Sequence, residues 1–100
     1  MELTLIVDGK EKTFVAPFIS GRMFRRTLEF QKKFKGDIDE TTLDTAVDYV
    51  VELYGKQFDR DTFYDGIESK KLLSTITGCI DEVVDSVNGA IGDGGEAPNE

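Results

Sequence analysis

The 100-residue chain contains no histidine and a single cysteine, Cys79. Those shortages exclude a zinc site with the usual nitrogen and sulfur ligands, a Ser-His-Asp triad and a Cys-His nucleophile pair. One cysteine cannot close an internal disulfide, and the opening MELTLIVDGK lacks both the basic start and the apolar stretch of a signal peptide, so a cytoplasmic protein is expected. Uninterrupted apolar runs stop at three residues, as in Leu5-Ile6-Val7, whereas crossing a bilayer takes ~18 to 20. Positive charge is also scarce. Twelve Lys and Arg face twenty Asp and Glu, net -8, which argues against nucleic acid or an anionic membrane as a general partner. These absences describe a small acidic domain that is not an enzyme, with no cofactor and no metal to hold.

Apolar residues make up 39% of the chain and aromatics 10%, enough to close one core. Leu3, Leu5 and Val7 alternate with Glu2, Thr4 and Ile6, the period of a half-buried strand, and Asp8-Gly9 supplies the positive φ angles of a tight turn. Lys10 to Val15 should therefore return antiparallel, with Phe14 facing inward, to complete a hairpin over 2–15 that ends before Pro17. A lone hairpin is marginal in water, so it should lean on helices.

Four helices are predicted. Ser20 caps the first, about 20–35, which carries Met23, Thr27, Phe30 and Phe34 on one face and can close at Gly36. Asp39 caps the second, 39–54, with Ile38 and Leu43 placed as a hydrophobic staple. Its expected stripe is Leu43, Ala46, Val47, Val50 and Leu53 or Tyr54; Gly55 follows as a left-handed end, and Asp44, Asp48 and Glu52 form the wet face. A short helix over 59–65 is capped by Asp59 and stopped by Gly66. The last, 69–87, buries Leu72 or Leu73, Ile76, Cys79 or Ile80, Val83 and Val87, with Gly78 as a weak point. Residues 1–88 then make one domain of mainly α (α+β) class, an N-terminal β-hairpin packed on a small bundle of about four helices. Residues 89–100, acidic and glycine-rich, read as a flexible tail.

Charge is split along the chain. Residues 1–35 carry eight basic side chains and four acidic ones, whereas residues 36–100 carry four and sixteen. Such asymmetry suits electrostatic steering of a charged partner and makes self-association possible. The basic and aromatic interleaving of Arg22-Met23-Phe24-Arg25-Arg26 and Gln31-Lys32-Lys33-Phe34-Lys35 admits three readings: a nucleic-acid element, a surface for a protein partner, and a solvated amphipathic helix whose cations pair with acids such as Asp44 and Asp48. Asp59, Asp61 and Asp65 do not make a calcium loop, since Phe63 and Tyr64 stand where an oxygen ligand and a glycine are needed. Gly92-Asp93-Gly94-Gly95 leads into no helix bearing a Lys and is no phosphate cradle.

The run from Ala16 to Phe34, APFISGRMFRRTLEFQKKF, resembles the opening of the small tail assembly chaperones of long-tailed (siphovirus) phages that infect Gram-positive bacteria. Val47 to Phe58, VDYVVELYGKQF, and Phe63 to Ile67, FYDGI, resemble the middle of the same family, so the likeness spans about residues 1–88. Gly21 and Thr27 depart from it, standing where relatives often carry a better helix former. The resemblance implies a non-enzymatic protein of the host cytoplasm, not expected in the mature virion. It would bind the long helical tape measure protein, keep it soluble and help recruit tail tube subunits. A longer, frameshifted form is common in the family. The residues expected to touch such a partner are Phe18, Arg22, Met23, Phe24, Arg25, Arg26, Phe30, Phe34, Tyr49 and Tyr54. The rival reading is a small acidic DNA mimic that inhibits a nucleic-acid enzyme through its carboxylate rows (Asp44, Asp48, Glu52; Asp81, Glu82, Asp85).

Overall fold

The structure is a computed structural model that describes the backbone of residues 1–34 and 38–94 and the side chains of those residues up to Val87. An antiparallel hairpin, β1 (Glu2–Val7) and β2 (Lys10–Val15), is followed by α1 (Gly21–Lys33), α2 (Glu40–Leu53), α3 (Arg60–Gly66) and α4 (Ser69–Gly94). This is the mainly α architecture that the sequence predicts. Asp8 (φ 53°) and Gly9 (φ 78°) both adopt left-handed backbone, the requirement of a type I′ turn whose twist suits the two strands. The turn sets a register of Leu3 opposite Phe14 and Thr4 opposite Thr13, so Leu3, Leu5 and Phe14 share the inner face.

Local chemistry starts each of the first three helices. Ser20 accepts from the amide of Met23 at 3.2 Å, Asp39 from Thr42 at 2.8 Å and Asp59 from Thr62 at 2.8 Å. Those bonds hold both cap carboxyls below the usual carboxylate range. At the end of α2 the amide of Gly55 donates to Glu52 O and that of Lys56 to Val51 O, a paired closure that needs the left-handed backbone at Gly55 (φ 69°). The expected closure of α1 at Lys35 and Gly36 lies outside the described residues.

The bundle is organised around α2, which packs against α1, α3 and α4. Contact on three sides explains why its buried set, Ala46, Val47, Tyr49, Val50 and Leu53 with the cap Tyr54, is wider than one stripe, while Leu43 is only half-buried. From α4 come Ile76, Cys79, Ile80 and Val83; Val87 and Leu72 are half-buried and Leu73 is exposed. The backbone of α4 runs to Gly94, past the expected end at 87, because each added residue of a formed helix gains a hydrogen bond without a new nucleation cost. The rest of the expected tail, 95–100, lies outside the described residues. No described helix is long and apolar enough to cross a membrane.

Two helical glycines, Gly66 at the end of α3 and Gly78 within α4, meet opposite surroundings. A Cβ on Gly66 would lie 2.7 Å from Ile6 O and 3.0 Å from Leu5 Cβ, so the end of α3 closes directly onto β1 backbone. A Cβ on Gly78 would meet nothing within 4 Å. Gly66→Ala should therefore destabilise the fold by about 2 kcal/mol through forced displacement of β1. Gly78→Ala should stabilise it by about 1 kcal/mol through helix propensity. Thermal or urea unfolding of the two variants checks both signs.

Candidate partner-binding site

The sequence places its candidate contacts on α1 and α2, and the structure divides them. Thr27 and Phe30 of α1 are buried against α2, where the Phe30 and Tyr49 ring centroids lie 4.9 Å apart. Thr27 donates its hydroxyl proton to Met23 O at 2.7 Å, so it can only accept in its hydrogen bond with Tyr49, whose phenol is the donor. Burial pushes the Tyr49 phenol up. Tyr54 is also fully buried; its hydroxyl has no hydrogen-bond partner among the described residues and desolvation raises its pKa. Phe30, Tyr49 and Tyr54 are thus corrected from contact residues to core. Their rings already fill the space between α1, α2 and the hairpin. Met23, Phe24 and Phe34 are half-buried against the same core.

What faces solvent is the opposite side of α1. Arg22, Arg25, Glu29, Lys32 and Lys33 are exposed, and Leu28 stands beside them at 39% exposure. Phe18, just ahead of the Ser20 cap, is 91% exposed. Arg22 and Arg25 form no ion pair with any described residue, whereas Arg26 turns inward to bond the Glu52 carboxylate on α2. The acids expected to receive the α1 cations are occupied differently. Arg60 of α3 bonds Asp48 through two nitrogens, at 2.6 and 3.0 Å, and its guanidinium holds the Asp48 carboxyl below its ordinary value. Tyr64 donates to Asp44 at 2.6 Å, and partial burial followed by that bond pushes its phenol up to about 12. The row Asp44, Asp48, Glu52 is therefore paired within the fold rather than free.

The helix dipole sharpens the contrast. The N-terminal end of α1 is the positive end, yet its first turn contains Arg22 and no acid, and Arg25 and Arg26 follow in the next turn. A cation in the first turn costs a few tenths of a kcal/mol, so local stability does not explain Arg22. Sequence reasoning missed Leu28 as a surface residue, although its offset from the Met23, Thr27, Phe30 face was readable. It also missed a shallow cleft between α1 and α2 lined by Phe30, Lys33, Thr41, Thr42 and Thr45, which requires knowing how the two helices cross.

Among the described residues no group of three or more His, Cys, Asp or Glu converges as metal ligands do. Cys79 is buried, and desolvation followed by the nearby Glu82 pushes its thiol up to about 11. The surface thus offers cations and apolar side chains for a partner.

Removing one member of the buried hydroxyl pair tests the packing that orients α1. Thr27→Val orphans the Tyr49 hydroxyl and should cost about 1 to 3 kcal/mol. Tyr49→Phe leaves Thr27 still bonded to Met23 O and should cost about 1 kcal/mol or less. Urea midpoints of the two variants give the order directly.

Compared with known proteins, the chain is matched over residues 1–96 by a family model described as "Phage tail chaperone protein". No curated protein and no solved structure matches it.

Proposed function

We propose that this chain, which belongs to the phage tail chaperone family, binds the tape measure protein through the exposed side of α1, keeps it soluble and helps recruit tail tube subunits. A role in tail assembly, with tail proteins as partners, follows from the family; the identity of the partners and the surface are the proposal. The observation that carries it is the cluster at the start of α1. Phe18, three residues ahead of α1, is 91% exposed, and Arg22 and Arg25 in the first two turns are exposed cations without an ion pair among the described residues. Burying a phenylalanine is worth about 1.5 to 3 kcal/mol, a gain that this chain leaves to a partner.

A tape measure protein awaiting its tube would expose helical apolar surface. An exposed aromatic edge bordered by cations suits such a surface: the apolar contact holds it, and the charges set the rate and orientation of encounter. One ring and a few charges give modest affinity, which lets tube subunits displace the chaperone. The role is non-enzymatic, carried out in the host cytoplasm and ended before the virion matures. The DNA-mimic reading loses support, because the carboxylates of Asp44, Asp48 and Glu52 are bonded by Tyr64, Arg60 and Arg26 instead of standing free as phosphates do.

Arg26 does not belong in a test of this surface, since a Glu there would oppose Glu52 inside the fold. Arg22→Glu with Arg25→Glu should weaken capture of the tape measure protein about tenfold or more at low salt, and the difference should shrink as salt is added. Phe18→Ser should weaken it at all salt concentrations. Melting should change by no more than about 0.5 kcal/mol for these exposed sites. Unchanged capture by both folded variants would remove α1 from the interaction.

A further inference from the structure

The hairpin has two strands, so each keeps one edge that the other does not cover. The amide of Ala16 donates to Met1 O at 3.0 Å, which assigns the main-chain groups of Met1, and by alternation those of Leu3, Leu5 and Val7, to the ladder with β2. The N–H and C=O groups of Glu2, Thr4 and Ile6 point the other way, and no described residue hydrogen-bonds to them. Gly66 seals the Ile6 end, where a Cβ on it would lie 2.7 Å from Ile6 O. Along Glu2 and Thr4 the edge stays open.

A continuous groove follows that open edge. Its first part lies between Glu2 to Thr4 and the α4 residues Ser74, Thr75 and Gly78, and its second part passes Thr4 and Ile6 toward Glu68 and Lys71. Leu3, Thr4 and Thr75 border both parts. Small residues on α4 keep the groove wide, since a Cβ at Gly78 would still meet nothing within 4 Å. A strand edge facing a helix across such a groove can take an extended peptide as an added strand, with main-chain bonds for affinity and alternate side chains for selection.

Charge selects the occupant. Glu2, Glu11, Asp65, Glu68 and Glu82 line the groove. Its two cations are already engaged: the Met1 ammonium lies 3.6 Å from Glu82 and Lys71 lies 3.7 Å from Glu68. A second copy pairing β1 to β1 would bring an identical acidic rim against this one, which is unfavourable. The geometry points to an extended segment of a partner protein, with Lys or Arg at alternate positions, that adds to the β1 edge at Glu2 and Thr4 and sets its cations over these carboxylates. The groove shares no residue with the α1 surface, so this binding is independent of the one proposed above.

The probe is a synthetic acetylated hexapeptide amide of alternating lysine and valine, titrated into the ¹⁵N-labelled full chain. The Glu2 and Thr4 amides should shift most. Affinity should fall about tenfold when alternate peptide amides are N-methylated, and by a similar factor in the exposed double variant Glu11→Lys, Glu68→Lys. A glutamate-valine peptide should leave the spectrum unchanged. Absence of shifts at Glu2 and Thr4 with millimolar peptide, or equal binding of the N-methylated form, would overturn the assignment. Shifts of those amides on concentrating the protein alone would also overturn it, by giving the edge to a second copy.

Discussion

The stack of rings around Phe58 is the contact on which the rest depends. Phe58 lies in the loop between α2 and α3, and its ring centroid is 4.9 Å from Phe14 of β2, 5.7 Å from Tyr54 and 6.2 Å from Phe63 of α3. A two-stranded hairpin has too little apolar surface to stand alone in water. Phe58 gives it a floor, and Leu3 and Leu5 complete the same buried face. The neighbouring loop then fixes where β2 goes next. Gln57 Nε2 donates to Val15 O at 2.7 Å and to Tyr54 O at 2.8 Å, and a Cβ on Gly55 would lie 3.1 Å from Pro17 Cγ. The chain entering α1 is therefore pinned to the end of α2, and Phe18 and Arg22 are presented from a fixed base.

This arrangement divides α1 into a packed side and an exposed side. The inner side of α1 is closed by the Thr27–Tyr49 bond and the Phe30–Tyr49 contact, and Arg26 ties its flank to Glu52. The outer side keeps its cations. The strongly acidic remainder of the chain does not draw those cations back, because its best-placed carboxylates on α2 are bonded by Arg60 and Tyr64 from α3. A net negative protein can in this way keep a positive surface exposed.

The features that were legible in the sequence are those decided within a few residues. Asp8-Gly9, Ser20, Asp39, Asp59 and Gly55 each act on adjacent backbone, and the structure has each in the role that its chemistry assigns. The inward side of the hairpin followed from alternation alone. Features decided between elements were not legible. Tyr49 and Tyr54 could equally have pointed out, since only the packing of α2 on three neighbours places both inside. Asp48 was paired with the wrong cation because Arg60 and the α1 arginines are indistinguishable until the crossing of the helices is known. The open edge of β1 was invisible for the same reason: which main-chain groups face α4 depends on where α3 and α4 lie.

The most direct measurement is co-expression of this chain with the tape measure protein of the same phage, followed by size-exclusion chromatography with light scattering. A soluble complex holding several copies of this chain per tape measure protein is the expected result. A tape measure protein that still precipitates while this chain elutes alone would contradict the proposed function.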